Sequence, residues 1–242
     1  MKMRRRQERV VVICPYGIGN MVMALPALLT LRRGFPRLEL HLVSLLPSTT
    51  EMLRSFPLFN ELYDALYEIE LGGWRGLARS LSVLSRVWRA RPMASLVTFP
   101  SLSFSYNALN FLTGASKRIG ARYPDTTLGV GAWLNTHQHR VVIGAHDVEQ
   151  NLMLVRLLGE PEREFHDFSA ARPYYSFEKR AIVGVHPGCK AEHPYKRWSL
   201  ERFGAVASWL LEHEQSYRLR LFFGPAECDE LRFFQAGVST SP

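Results

Sequence analysis

Three short stretches carry residue types that could do chemistry. The first is Tyr16-Gly17-Ile18-Gly19-Asn20. Glycines let a backbone come close to a ligand, and N–H groups at a helix start favour an anion or a polar substrate group. Glycines also serve simply to turn a chain, and this stretch alone does not separate the two uses. The second is His186-Pro187-Gly188-Cys189, followed by Lys196-Arg197-Trp198-Ser199-Leu200-Glu201-Arg202-Phe203. It brings a lysine and an arginine to the mouth of a helix with Ser199 as N-cap and Arg202 at N3. Cations beside free helix N–H groups outline a diphosphate site; the alternative is a solvated basic loop. The third is Phe223-Gly224-Pro225-Ala226-Glu227. A carboxylate there could accept hydrogen bonds from two ribose hydroxyls, or stand as a favourable acid in a helix first turn.

All three stretches follow predicted strands. Val10 to Cys14 is a continuous β-branched run, the pattern of a strand buried on both faces. An apolar-periodic segment from Ile18 to about Arg33, stopped by Gly34 and Pro36, reads as a helix, and Leu38 to Val43 as a second strand. Strand, turn, helix, strand within about 35 residues is a βαβ unit, which builds parallel sheets. The alternation continues with a strand within Leu62–Ile69, a helix over Trp74–Arg89 with Leu77, Leu81, Leu84 and Trp88 on one face, a strand over Ala94–Phe99 and a helix over Phe104–Leu112. Lys117 to Thr136, rich in glycine and polar residues, reads as loop with short strands. His146 to Leu158 has helical spacing and stops at Gly159 and Pro161. The pattern restarts with a strand over Ala181–Val185, a helix over Ser199–His213, a strand over Arg218–Phe223 and a helix over Glu227–Gln235.

A dinucleotide reading of the first loop fails on residue type. A third small residue is needed where Val22 stands, and Glu39 lies at the start of the second strand, not at its end where a ribose would sit. The 242 residues are 47% apolar and 21% charged, the balance of a globular chain. A net charge of +8, with Arg4, Arg5 and Arg6 opening the chain and other basic residues spread along it, means either a solvated basic face or attraction to an anionic partner. Nucleic acid is disfavoured, because no basic run is interleaved with aromatics. Cys14, Cys189 and Cys228 share no metal-like spacing and are odd in number, so neither a zinc site nor a disulfide framework is expected, and a reducing compartment fits. No stretch reaches the ~18 apolar residues of a membrane span.

Together these residues resemble glycosyltransferase family 9, the heptosyltransferases that extend the inner core of lipopolysaccharide. The resembling parts are Val10–Val43 with Gly17-Ile18-Gly19-Asn20 and Ala24-Leu25-Pro26-Ala27-Leu28, the segment His146-Asp147-Val148-Glu149-Gln150-Asn151-Leu152, and His186-Pro187-Gly188 through Lys196-Arg197-Trp198 to Gly224-Pro225-Ala226-Glu227. The resemblance implies an α/β chain of GT-B type, two Rossmann-like domains with parallel sheets, the second incomplete. It also implies inverting transfer of a heptose or related sugar from a nucleotide-diphosphate donor, with no cofactor beyond an ADP-heptose-like substrate and no metal. The donor would be held mainly by the second domain and a glycolipid or glycan acceptor by the first. By similarity, Gly188, Cys189 and Lys196 would contact the donor phosphates, with Arg197 a further candidate for the same charge, and Glu227 would hold the ribose. Gly17 and Gly19 would form the acceptor-side loop.

Two departures from the family pattern bear on these expectations. The position matching Asn20 is an aspartate in well-studied members, proposed to deprotonate the acceptor hydroxyl, and an amide cannot be that base at neutral pH. Asp147 and Glu149 are carboxylates of the right type, but the sequence gives them no position at the site and favours reading them as a solvated helix start. The family's second domain also continues past the motifs seen here, and two such domains would need roughly 300 residues. The expected organisation is thus an acceptor-side domain over 1–165, a linker over 166–180 and a partial nucleotide-sugar domain over 181–242, a C-terminally truncated enzyme whose activity the truncation puts in question. The other readings are a non-catalytic nucleotide-sugar or anion-binding module, and an inactive, purely structural or partner-binding fragment. The expected location is the cytoplasm, with peripheral association at the inner face of the inner membrane left open by the basic charge.

Overall fold

The β-branched run becomes β1 (Glu8–Cys14), the centre of the larger sheet, with Val10 to Ile13 wholly buried. In this computed structural model the described residues are 8–55, 57–69, 73–124, 130–167, 182–189, 194–213, 217–224 and 227–237. β1 pairs in parallel with β2 (Leu38–Ser44) on one side and β4 (Ala94–Val97) on the other. With β3 (Ala65–Glu68), β5 (Lys117–Arg122) and β6 (His137–Arg140) the order is β3-β2-β1-β4-β5-β6, every pair parallel. The direction of winding reverses between β1 and β4. That gap is the switch point at which open α/β sheets leave a crevice for ligands.

Strand alternation sends neighbouring residues into opposite helix layers. Val10, Val12 and Cys14 pack on one face with Leu25, Leu28 and Leu31 of α1 (Ile18–Gly34), Leu53 of α2 (Pro47–Ser55), and Leu152 and Val155 of α6 (Asp147–Arg156). Val11, Ile13 and Val43 pack on the other with Val87 of α4 (Gly73–Arg89) and Leu109 of α5 (Phe104–Leu112). A one-turn α3 (Pro57–Asn60) precedes β3. From Ala24 to Leu31, α1 is buried on every side, as expected of a helix caught between a sheet and other helices. Its end is also covered. A Cβ on Gly34 would lie 2.4 Å from the carbonyl oxygen of Arg163, and Phe165 is buried with its N–H donating to Thr30 Oγ1 at 2.9 Å.

Two segments differ from the sequence reading. Lys117 to Thr136 holds a full strand, β5, and β6 follows at His137. The layer between α5 and β5 is polar: Asn110 Nδ2 donates to Asn135 Oδ1 (2.8 Å) and to the Ile119 carbonyl (3.1 Å), and Asn135 Nδ2 donates to Asn107 Oδ1 (2.7 Å). β6, His137-Gln138-His139-Arg140, has no apolar residue, and His139 Nε2 meets Gln150 Oε1 at 2.8 Å. Hydrogen bonds do there what burial does elsewhere, so hydrophobic periodicity is silent. α2 was likewise unread, because Ser48-Thr49-Thr50 resembles a turn while Thr49, Thr50, Met52 and Leu53 are in fact buried.

The chain divides into two compact units, Met1–Tyr175 and Ser176–Pro242. Of the stretch read as a linker, 166–180, His166 and Asp167 alone lie within the described residues. In the second unit, β7 (Ile182–Val185) and β8 (Arg218–Leu221) form a parallel pair with α7 (Leu200–His213) and α8 (Cys228–Gly237). No described helix is long and apolar enough to cross a membrane.

Candidate functional site

In the first unit, the loops after β1 and β4 meet at the switch point. The Tyr16 hydroxyl accepts from the Leu102 N–H (3.2 Å), and the Tyr16 ring stands edge-on to Tyr106 at 5.3 Å. Thr49 Oγ1 donates to the Tyr16 carbonyl (2.9 Å), so α2 holds the loop from the other side. Gly17 is the N-cap of α1 at φ −70°, where it makes no side-chain cap. A Cβ on Gly17 would meet Leu46 at an ordinary 3.9 Å, and a Cβ on Gly19 would meet nothing within 4 Å. Packing within the described chain does not require either glycine. Their small size keeps the surface beside Asn20 open. Asn20, at the third position of α1, is half-buried, and its carboxamide has no hydrogen-bond partner among the described residues.

The same rim carries Tyr123, whose hydroxyl accepts from the Ser101 N–H at 2.7 Å. Burial pushes its phenol above the ordinary range. The neighbouring Tyr16 and Asp147 act in the same direction, against the hydrogen bond from Ser101. Ser101 Oγ is buried without a hydrogen-bond partner among the described residues. Asn151 ties the start of α6 to the β4 loop, accepting from the Phe99 N–H (2.8 Å) and donating to the Asp147 carbonyl (2.9 Å). The two carboxylates considered at this helix start thus separate: Glu149 Oε1 contacts His166 Nδ1 at 3.0 Å, while Asp147 faces the tyrosine rim electrostatically. Glu39 is held at the opposite end of the sheet by Arg9 (2.7 Å) and His41 (2.9 Å).

In the second unit, parallel pairing puts the ends of β7 and β8 on one edge. The loops leaving them interlock. Glu227, 8% exposed, sits against Gly188, and its Oε2 accepts from the Gly224 N–H at 2.5 Å. His186 Nδ1 lies 3.8 Å from the same oxygen and accepts from the Gly188 N–H at 3.4 Å. Arg197 donates to the Cys189 carbonyl (2.9 Å), to Cys189 Sγ (3.3 Å) and to Glu230 Oε1 (2.7 Å). The bond to Cys189, then the charges of Glu230 and Glu227, raise the Arg197 pKa further. Lys196 is exposed, its Nζ 5.9 Å from the Tyr195 ring centroid. Ser199 caps α7, its Oγ accepting from the Arg202 N–H at 3.4 Å. That leaves the first-turn N–H groups of Leu200 and Glu201 to be met from outside the helix.

Gly188, Cys189, Arg197 and Glu227 therefore form one cluster, with Lys196 at its margin beside the start of α7. Among the described residues no group of three His, Cys, Asp or Glu side chains converges as a metal site. The sequence profile of glycosyltransferase family 9 (heptosyltransferase) matches residues 102–237, more than half of the chain and the whole of this cluster. The chain belongs to glycosyltransferase family 9. Its fold is similar to that of the Escherichia coli heptosyltransferase WaaC solved with ADP-2-deoxy-2-fluoro heptose, at 14% identity and a TM-score of 0.71 over 96% of this chain and 73% of that one. It is similar to a family 9 glycosyltransferase from Veillonella parvula at 18% identity and a TM-score of 0.66, over 98% of this chain and 69% of the other. A UDP-GlcNAc 2-epimerase from Neisseria meningitidis bound to UDP-GlcNAc shares the architecture more distantly, at 10% identity and a TM-score of 0.51, over 96% and 70%. No curated protein matches the chain at the level of sequence.

Within this family 9 chain, sequence reasoning missed Glu230, Ser101 and Tyr123, and it quoted Tyr16 in the first motif without giving it a role. Glu230 had a signal: three residues after Glu227 at a helix start, it falls on the same side. Ser101 and Tyr123 had none, since their meeting depends on β4 and β5 being neighbours in a sheet.

Proposed function

We propose that the second unit binds the diphosphate and ribose of a nucleotide-diphosphate sugar, and that the chain transfers the sugar, a heptose or close relative, with inversion to a hydroxyl of a glycan acceptor held by the first unit. The observation that carries this reading is the pairing of a buried, backbone-bonded Glu227 carboxylate with an exposed Lys196, which has no ion pair among the described residues, beside open helix N–H groups in a family 9 chain. Glu227 would accept from the ribose hydroxyls with its remaining lone pairs. Lys196 and the first turn of α7 would take the charge that grows on the diphosphate as the sugar–oxygen bond breaks. Arg197, neutralised by Glu230, would fix the Cys189 carbonyl and so the course of the loop. The acceptor oxygen would form its bond to the anomeric carbon from the opposite face as the bond to the diphosphate oxygen breaks; the hydroxyl proton would pass to solvent water, and the nucleoside diphosphate would leave. The E. coli WaaC structure contains an ADP-heptose analogue, which makes ADP-heptose the first donor to try. The test is sugar transfer from ADP-heptose to a Kdo-bearing acceptor, alongside calorimetry. Turnover lost on Lys196→Ala supports the proposal; neither binding nor turnover with any nucleotide sugar refutes it.

One observation favours a second reading, a module that binds nucleotide sugar without transferring it. Asn20 stands where the family's proposed base stands, with no carboxylate in its place. Tight binding of ADP-heptose in the same calorimetry, with no product at any pH, would select it.

A further inference from the structure

Every strand pair in the six-stranded sheet is parallel, so the loops leaving β1, β4, β5 and β6 open on one edge. They bring there Tyr16, the segment Phe99–Leu102, Tyr123 and, at the first position of α6, Asp147. Tyr123 and Asp147 are set by the same stretch of backbone. The Tyr123 ring stacks on Phe99 with centroids 5.9 Å apart, and its hydroxyl accepts from the Ser101 N–H. Asn151 accepts from the Phe99 N–H and donates to the Asp147 carbonyl. The start of α6 is thereby pinned to the loop on which Tyr123 rests.

What these two side chains leave unmade is complementary. The Tyr123 oxygen receives the Ser101 N–H, while its own O–H proton has no acceptor among the described residues. The Asp147 carboxylate has neither a hydrogen bond nor an ion pair among the described residues, whereas Glu149, two residues on, is held by His166. Burial raises the Tyr123 phenol pKa and the charge of Asp147 adds to it, so the two side chains are neighbours; yet no hydrogen bond joins them. A gap between an O–H donor and a carboxylate suits a group that accepts from one and donates to the other. An alcohol is such a group.

We infer that Asp147 is the general base of the transfer: the acceptor hydroxyl bridges Tyr123 and Asp147, accepting from the phenol O–H and giving its proton to the carboxylate. This rests on the transferase reading above and gives the proton a first stop. As the acceptor oxygen bonds to the anomeric carbon, the bond to the diphosphate oxygen breaks and its electron pair leaves with the diphosphate. The hydroxyl proton moves to an Asp147 oxygen, and half-buried Asp147 then yields it to solvent water. The other candidates at this edge do not fit the role. Asn20 is an amide, and Glu149 is engaged by His166. Tyr16 and Tyr123 are phenols that donate. His146, the N-cap of α6, commits Nδ1 to the Val148 N–H at 3.2 Å.

Transfer from ADP-heptose to a Kdo-bearing acceptor by the full chain, followed across pH, tests this. A positioned general base contributes about 100- to 10,000-fold. Asp147→Asn should therefore lower kcat by about 100-fold or more, leave donor KM unchanged and remove the acid limb of the rate profile. Asp147→Glu should keep that limb at a reduced rate, and Tyr123→Phe should keep it while raising the acceptor KM. A second readout needs no turnover. In protein carrying ring-labelled tyrosine, the Tyr123 NMR signal, assigned by its loss in Tyr123→Phe, should titrate at lower pH in Asp147→Asn than in the parent. The inference alone fails if Asp147→Asn matches the parent in kcat and pH profile, or if the Tyr123 titration does not move. A parent that turns over no nucleotide sugar sinks the transferase reading and this one together.

Discussion

Glu227 fills the space that a side chain at residue 188 would occupy: a Cβ built on Gly188 would lie 1.5 Å from Glu227 Oε1 and 2.0 Å from its Cδ. The turn after β7 is thus shaped by a carboxylate arriving from the turn after β8. Gly188→Ala must expel that carboxylate or open the loop. The expected result is at least a tenfold loss of nucleotide-sugar affinity by calorimetry, with about 1–3 kcal/mol of destabilisation, the usual cost of overpacking. Glu227→Gln, of the same shape, should lower affinity with a smaller change in melting temperature. An alanine variant that binds like the parent would dissociate Gly188 from the donor site.

Lys196 and Arg197 are adjacent in sequence, yet the structure gives them different work. Lys196 has no carboxylate partner among the described residues, whereas Arg197 is bonded to Glu230 and Cys189. Lys196→Ala should therefore reduce donor affinity and leave the melting temperature unchanged. Arg197→Ala should lower the melting temperature, because it strands the buried Glu230. Pairing it with Glu230→Ala should recover part of that loss in a double-mutant cycle.

The acid limb of stability should contain a contribution from the end of the first unit. Glu164 is bonded to Arg156, and His166 Nε2 lies 3.0 Å from it. The hydrogen bond from Arg156 first, then the charges of Arg156 and His166, outweigh burial and hold the Glu164 carboxyl below its ordinary range. A carboxyl whose pKa is lower folded than unfolded stabilises above its unfolded value near 4.5, and that share is lost as pH falls through the folded value. Because the pair is partly exposed, the share is about 0.5 kcal/mol. Melting followed from pH 6 to pH 3 should fall less steeply in Glu164→Gln than in the parent; parallel curves would remove Glu164 from the account.

Cys14 ends β1 inside the core, and burial raises its thiol pKa to about 12. The thiolate is the reactive species, so Cys14 should resist alkylation at pH 8 in the folded protein and react once denaturant is added, while exposed Cys228 reacts at once. Modification of Cys14 under native conditions would show that β1 is not the sealed centre described above.

Legibility in the sequence followed the kind of force at each place. β1, α1 and β2 could be read because they are buried among apolar neighbours, and burial writes a period into the chain. The Asn107, Asn110 and Asn135 network beneath α5 and the polar strand β6 left no such period. The expectation that Leu81, Leu84 and Trp88 share one face was correct as geometry, but periodicity does not say which part of a face is covered: Leu84 packs inward and Trp88 does not. In the second unit, residue type and order drew attention to Gly188, Lys196 and Glu227, and the structure sets Glu227 against Gly188. The engagement of Arg197 by Glu230 depends on α8 folding back beside α7, which spacing alone cannot convey.

Asn20 offers the sharpest test of how the chain handles the acceptor proton. It occupies the third position of α1, where helix N–H groups and the dipole favour a negative charge. Gly19 leaves the approach clear. Asn20→Asp should therefore be tolerated, with a melting temperature at or slightly above that of the parent. It would supply a carboxylate held ionised near neutral pH. A positioned general base contributes about 100- to 10,000-fold. If the acceptor hydroxyl sits beside this residue, kcat should rise at least tenfold with little change in donor KM. The rate of the variant should then acquire a new acid limb, being lost as pH falls through the aspartate pKa, since the base acts when deprotonated. A variant no faster than the parent, with an unchanged pH profile, would mean that the acceptor hydroxyl lies elsewhere and that the loop Tyr16 to Asn20 does not border the reacting centre.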